Sequence, residues 1–167
     1  MRPLLLTAML VLSGCSVEQP TPIQAPEVIV PDYSLDAFGG HLLGTDRGEW
    51  IGKLMFQDAD GNLTTLLNEN VHGIVENADG IFAFTGLAHL SLNEGYIYAV
   101  TQEPNGSVLV TRLGRLPGAP TRVRQLHPEG TTSFLIYSGF SNSRQLFWCY
   151  QLVGKMVSRG HDCLPPE

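Results

Sequence analysis

The strongest constraint on the fold is a repeated alternation of short apolar runs with glycine-bearing polar turns, from residue 49 to residue 158. A period of two sends successive side chains to opposite faces of a strand, and Asp-Gly or Asn-Gly between two such runs accepts the positive φ of a tight hairpin. Residues 49–56 lead through Asp58, Asp60, Gly61 and Asn62 into residues 63–67. Residues 71–75 and 81–84 flank a turn ending in Asp79 and Gly80, and residues 96–100 and 108–113 flank Pro104, Asn105 and Gly106. Residues 121–126 are expected to pair with 133–137 across His127 to Gly130, and 145–150 with 156–158 around Gly154. No helical period of ordinary length is present; residues 86–90 are the best candidate, for about one turn. The expected fold class is therefore all-β and antiparallel.

The alternation also repeats at a longer distance. Four short strands with similar turns run from residue 50 to 84 and again from 96 to 137, offset by about 45 residues, and a third copy begins near Arg144 and stops halfway. Four strands per unit of about 40 to 45 residues resembles the blades of β-propellers. The resemblance implies propeller-like four-stranded units, about two and a half of them, with residues 35–44 as a possible source of further strands. The same ten strands also fit a β-sandwich or an open barrel, and both alternatives stay open.

Ahead of this region, Arg2 precedes an apolar run over residues 4–12 that is too short to cross a bilayer as a helix. It ends in Leu12-Ser13-Gly14-Cys15, which resembles the lipobox of bacterial lipoproteins. That resemblance implies a signal peptide over residues 1–14 and lipidation of Cys15, with acyl chains on its sulfur and on the new amine. More than one acyl chain makes a stable membrane anchor. Ser16, where inner-membrane retention usually has Asp, implies an address at the periplasmic face of the outer membrane, with the inner membrane or the cell surface as alternatives. Residues 15–33 carry prolines at 20, 22, 26 and 31 and no sustained period, the composition of an extended tether; residues 28–30 as a first strand is the competing reading. Residues 34–167 then form one globular domain by length.

With Cys15 lipidated, Cys149 and Cys163 are left, and in an oxidising compartment they are expected to form a disulfide. A zinc site from Cys149, His161, Asp162 and Cys163 lacks the paired Cys-x-x-Cys spacing, so no metal is expected there. Asp58, Asp60 and Asn62 resemble the start of a calcium loop, but they also make a sufficient hairpin turn.

Charge divides the chain. Residues 15–103 hold two basic and thirteen acidic residues, a net of −11; residues 104–167 hold seven basic and three acidic, a net of +4. Arg122 and Arg124 flank Val123 and so are expected on one strand face, with Arg112 and Arg115 upstream, a candidate surface for an acidic partner or an internal match for the acidic half. The overall charge of −6 argues against nucleic acid.

Catalytic motifs are missing: no Gly-x-Ser-x-Gly, no His-Glu-x-x-His and no phosphate-cradling loop occurs, and no cofactor is implied. Of the histidines at 41, 72, 89, 127 and 161, His89 sits where two units join and is the candidate for a pocket. Such a pocket would collect an acid and rings such as Trp50, Tyr96 or Tyr98. His41, Asp46 and Glu49 form a second polar cluster in a glycine-rich stretch. The functional expectation is a lipid-anchored periplasmic interaction module that binds a protein, as an envelope scaffold or an inhibitor or immunity-type lipoprotein. A cell-envelope hydrolase or carbohydrate-binding protein using the His89 region is the alternative.

Overall fold

The computed structural model describes residues 30–125, 131–142, 144–161 and 163. Cys15, the signal peptide and most of the tether lie outside those residues, as do His127 and Asp162. All the regular structure within them is β, as expected. The strands are β1 (Tyr33–Ala37), β2 (Gly40–Gly44), β3 (Leu54–Gln57), β4 (Leu63–Leu67), β5 (Val71–Asn77) and β6 (Gly80–His89). They continue with β7 (Leu92–Gln102), β8 (Val108–Leu116), β9 (Pro120–Gln125), β10 (Thr131–Ser141), β11 (Arg144–Val153) and β12 (Met156–Arg159). The residue 86–90 stretch is not a helical turn. It completes β6, whose ladder with β7 runs from Ile81↔Val100 to His89↔Leu92.

The strands form three four-stranded antiparallel sheets in chain order: β1 to β4, β5 to β8 and β9 to β12. The unit is thus the four-stranded meander expected of propeller-like repeats, but with three units in place of two and a half and a different phase. The sheet boundary falls between β4 and β5, inside the stretch that alternation groups as one unit. Residues 33–44 supply the missing hairpin, turning on Phe38 (φ 56°) and Gly39 (φ 74°). Alternation carries no mark of this boundary, because β4 and β5 are as strand-like as any hairpin partners. No sheet closes on itself as a barrel.

The three sheets stack face to face with the β5 to β8 sheet in the middle. One core cluster joins it to the first sheet through Leu42, Leu54, Val71, Ile81, Ala83, Tyr98 and Val100. The other joins it to the third sheet through Val75, Phe82, Phe84, Ile97, Leu116, Phe134, Ile136, Tyr150 and Leu152. Burial on both faces explains the unbroken apolar run Ile81-Phe82-Ala83-Phe84, whose members alternate between the two clusters. By contrast β1 half-buries Tyr33, Leu35 and Ala37 and leaves Ser34 and Asp36 exposed, the pattern of a sheet with one solvated face. Phe134 anchors the second cluster, its ring 4.9 Å from Phe84 and 6.0 Å from Tyr150.

Close approach of the sheets depends on two glycines. A Cβ on Gly44 would come within 2.5 Å of the Val71 side chain, and one on Gly73 within 2.6 Å of Val123. These contacts bring β2 and β9 against β5. At the far side of the third sheet, Cys149 and Cys163 are disulfide-bonded with Cα atoms 5.4 Å apart. Cys163 Sγ lies 3.4 Å from the Phe134 carbonyl, and Leu135, opposite Cys149 in the β10–β11 ladder, is buried although it points away from the middle sheet. The outer face of the first sheet instead carries the polar row Asp36, His41 and Gln57.

Candidate functional site

The expected first strand, residues 49–56, is a strand only from Leu54; residues 45–53 form a loop that closes one end of the stack. Asn70, 5% exposed at the start of β5, holds that loop in place. Its Oδ1 accepts from the Arg47 N–H (3.0 Å) and the Gly52 N–H (2.7 Å), and its Nδ2 donates to the Gly48 carbonyl. Backbone bonds complete the attachment, from Val71 N–H to the Thr45 carbonyl and from Gly86 N–H to the Asn70 carbonyl. Gly52 has no room for a side chain, since a Cβ would sit 2.1 Å from the Thr45 carbonyl oxygen.

The pinned loop presents two carboxylates to two histidines of the middle sheet. Asp46 Oδ2 is 3.2 Å from His72 Nδ1, and Glu49 Oε2 is 3.6 Å from His89 Nε2. His72 Nε2 lies 3.0 Å from the Gly86 carbonyl, so both of its ring nitrogens face acceptors, and a neutral ring can donate to only one of them. His89 is not buried against backbone; 41% of its side chain is exposed at the rim of a cleft of about 700 Å3. Residues of the 45–53 loop, the middle sheet and the third sheet line this cleft, including Leu90, Leu92, Tyr137 and Phe147. Asn93 ties its floor to the third sheet, donating to the Tyr137 carbonyl and accepting from the Ala119 N–H. His41 does not join Asp46 and Glu49: it pairs with Asp36 at 2.7 Å on the outer face of the first sheet.

A second lobe of about 290 Å3 adjoins the first, sharing Glu49, Asn70, Gly86 and Leu87. It contains Trp50, Glu69, Glu94, Tyr96 and Arg112. Glu69 accepts from the Tyr98 hydroxyl (2.7 Å) and the Thr85 hydroxyl (2.5 Å). Burial, reinforced by the hydrogen bond to Glu69, raises the Tyr98 phenol well above its ordinary 10.0, so Tyr98 stays a donor. Burial likewise raises the Tyr33 phenol, with Asp46 and Asp32 adding to the effect. Tyr96 donates to Glu94 at 3.1 Å, and the Arg112 guanidinium lies over the Tyr96 ring, 5.2 Å from its centroid. Among the described residues no lysine or arginine forms an ion pair with Glu49, Glu69 or Glu94.

The four arginines do not share one surface. Arg112 and Arg115 lie on β8, opposite Tyr98 and Tyr96, whereas β9, with Arg122 and Arg124, packs beside β5 at the opposite edge of the middle sheet. Three strand spacings, about 14 Å, separate those edges. Nor is the Arg122 to Arg124 alternation regular. Thr121 pairs with Leu135 and Arg124 with Ser133, leaving one extra residue on β9, and Arg122 has φ 51°. This bulge interrupts the face that strict alternation assigns to the pair.

The Asp58 motif is a hairpin turn. Asp58 accepts from the Asp60 N–H, the Asn62 N–H and the Asn62 side chain, and these bonds, led by the Asn62 side chain, hold its carboxyl below the ordinary range. Among the described residues no three His, Cys, Asp or Glu side chains are placed to hold a metal ion. His89, Trp50 and Tyr96 stand out in the sequence, but Asn70 and His72 do not, since their partners lie 14 to 26 residues away and leave no local signature.

The chain matches no protein-family model, no curated protein and no solved structure.

Proposed function

We propose that the protein is a lipid-anchored binding module of the bacterial envelope, held through Cys15 at the periplasmic face of the outer membrane, whose globular domain engages a protein partner through the end face formed by residues 45–53 and the β6–β7 hairpin. The observation that supports this reading is the pair of adjoining lobes built between the 45–53 loop and the end of the middle sheet, the larger of them also lined by the third sheet, on a loop that Asn70 holds in place. Preformed concave sites with a few convergent polar groups are the usual form of a recognition site. The separation of Arg112 and Arg115 from Arg122 and Arg124 makes a docking surface of all four arginines less suitable than this end face.

Site-specific photo-crosslinking in intact cells tests the proposal. A crosslinking residue at Leu90 is expected to trap a protein partner, and one at the exposed Thr64 on the first sheet is expected to trap none. Crosslinks only from Arg124, or equal yields from all positions, would discard the end face. Lipid labelling that persists after Cys15→Ser would discard the anchor.

A second reading, a carbohydrate-binding protein or envelope hydrolase, rests on His89, which is exposed beside Glu49 instead of satisfied within the core. It requires that purified protein bind or cleave cell-wall glycan and that His89→Ala abolish the effect; glycan binding indifferent to His89 and Glu49 would rule it out.

A further inference from the structure

Four large apolar side chains rim the two lobes and are left in solvent. Trp50 is 77% exposed and Ile51 72% on the pinned loop; Leu90 is 94% exposed and Leu92 45% at the β6–β7 hairpin. Single exposed apolar residues are ordinary on protein surfaces, but two at each of two adjoining lobes are the pattern of an interaction site. Leu90 adds an independent observation. It occupies the left-handed region at φ 53°, a conformation that glycine or asparagine adopts at lower cost, and its side chain has nothing to pack against. A leucine in that place serves neither the turn nor the core, and outliers of this kind concentrate at functional sites.

Charge defines what the rim can receive. Asp46, Glu49, Glu69 and Glu94 line the lobes, against one arginine, Arg112, already laid over Tyr96. Glu69 uses one acceptor site on each oxygen for the Tyr98 and Thr85 hydroxyls and keeps the others, since a carboxylate has about four. Trp50 stands beside these carboxylates with most of its ring open, and an indole face attracts a cation.

Resting on the end-face reading above, we infer that the partner presents a protein segment in which an apolar side chain is flanked by lysine or arginine: the apolar group packs among Trp50, Leu90 and Leu92, and the cation enters the lobe of Glu69 and Glu94. The carboxylates that favour such a segment repel phosphate head groups, so a protein is preferred over an anionic lipid surface.

The test uses the full chain and three capped nine-residue peptides, alternating lysine–phenylalanine, glutamate–phenylalanine and lysine–serine. The lysine–phenylalanine peptide is expected to bind at least tenfold more tightly than either of the others. Trp50→Ala and Glu94→Gln should each weaken it at least fivefold. Leu90→Asn is the decisive variant, because asparagine suits the left-handed turn: it should leave the melting temperature unchanged or raised while weakening the peptide at least fivefold. Equal binding of the three peptides, preference for glutamate, or wild-type affinity in Leu90→Asn and Trp50→Ala overturns the inference. In a Trp148→Phe background, a blue shift of Trp50 emission with phosphatidylglycerol vesicles that is lost in Leu90→Asn also overturns it, in favour of a membrane surface. Crosslinking through Leu90 with peptides that bind indifferently removes the cationic, apolar partner and leaves the end face standing; absence of both removes both.

Discussion

Replacing Asn70 by alanine removes three hydrogen bonds at once and leaves the Arg47 N–H, the Gly52 N–H and the Gly48 carbonyl without their partner. A buried polar group stripped of its partner costs about 1 to 3 kcal/mol. Residues 48–51 are exposed, so water can reach part of the loop, and the lower end of that range applies to the Arg47 and Gly48 groups. Gly52 is buried and its amide is the hardest to rehydrate. The sum is about 3 to 5 kcal/mol. For a domain of about 130 residues, an unfolding entropy of about 2.1 cal/mol/K per residue converts 3 kcal/mol into a fall of about 11 °C in Tm. Urea unfolding followed by circular dichroism, at unchanged slope, measures the difference.

Asn70→Asp separates hydrogen bonding from side-chain volume. The carboxylate still accepts from Arg47 and Gly52, but its second oxygen meets the Gly48 carbonyl at the place of a former donor. At pH 7 this variant should also lose stability. Repulsion from a carbonyl raises an acid's folded pKa above its unfolded value of about 3.9, so stability is retained below that value and lost as pH rises through the folded pKa. Relative to the parent protein, Asn70→Asp is therefore expected to recover on acidification below about pH 4. An Asn70→Ala protein within 1 kcal/mol of the parent, or an Asn70→Asp deficit that does not shrink in acid, would refute the claim that this side chain holds the loop.

Thr132 is fully buried, and its hydroxyl has no hydrogen-bond partner among the described residues; Thr132→Val keeps the shape and is expected to stabilise the fold by about 1 kcal/mol in the same urea assay. Replacing both Cys149 and Cys163 by alanine opens a loop with a sequence separation of 14, for which the entropy of the unfolded chain accounts for about 3 kcal/mol, and hydrogen exchange should rise first in β12 and the end of β11. Burial and the Glu69 bond raise the Tyr98 phenol, so its contribution is complete below pH 10.0 and lost as pH rises through the folded value; spectrophotometric titration at pH 11 should find a tyrosine that resists ionisation and whose resistance Tyr98→Phe removes. Phe134→Ala, at the centre of the cluster between the second and third sheets, should cost about 3 to 5 kcal/mol, and a smaller loss would mean that this interface does not hold the stack together.

The local chemistry of this chain was legible in its residues. Alternation with Asp-Gly and Asn-Gly turns identified the β3–β4, β5–β6 and β7–β8 hairpins, because a hairpin needs only neighbours along the chain and a turn residue that tolerates positive φ; the β6–β7 hairpin, which turns at Leu90, carries no such residue and was not identified. Asp58 reads as a turn for the same reason, and its oxygens bond the backbone two and four residues on. The expected pairing of Cys149 with Cys163 is present as a disulfide.

What depends on residues far apart was not legible. The division into sheets falls between Leu67 and Val71, where three polar residues look like any other turn. Only the packing of Val71 against Gly44 and the bonds of Asn70 to residues 47, 48 and 52 make it the boundary between the first and second sheets. The same applies to the site. His89 and Trp50 stand out as residue types, yet the loop that brings Glu49 to one and leaves the other in solvent is set by an asparagine about twenty residues away. The arginines reverse that lesson: close in sequence and alike in charge, they are parted by the width of a sheet because β8 is one edge of the middle sheet while β9, a strand of the third sheet, packs beside β5 at the other edge. Short-range periodicity therefore determined the hairpins that carry glycine turns, since their energetics are local. Which hairpins share a sheet, and which side chains meet at its end, was decided by the tertiary packing of faces that no period in the chain records.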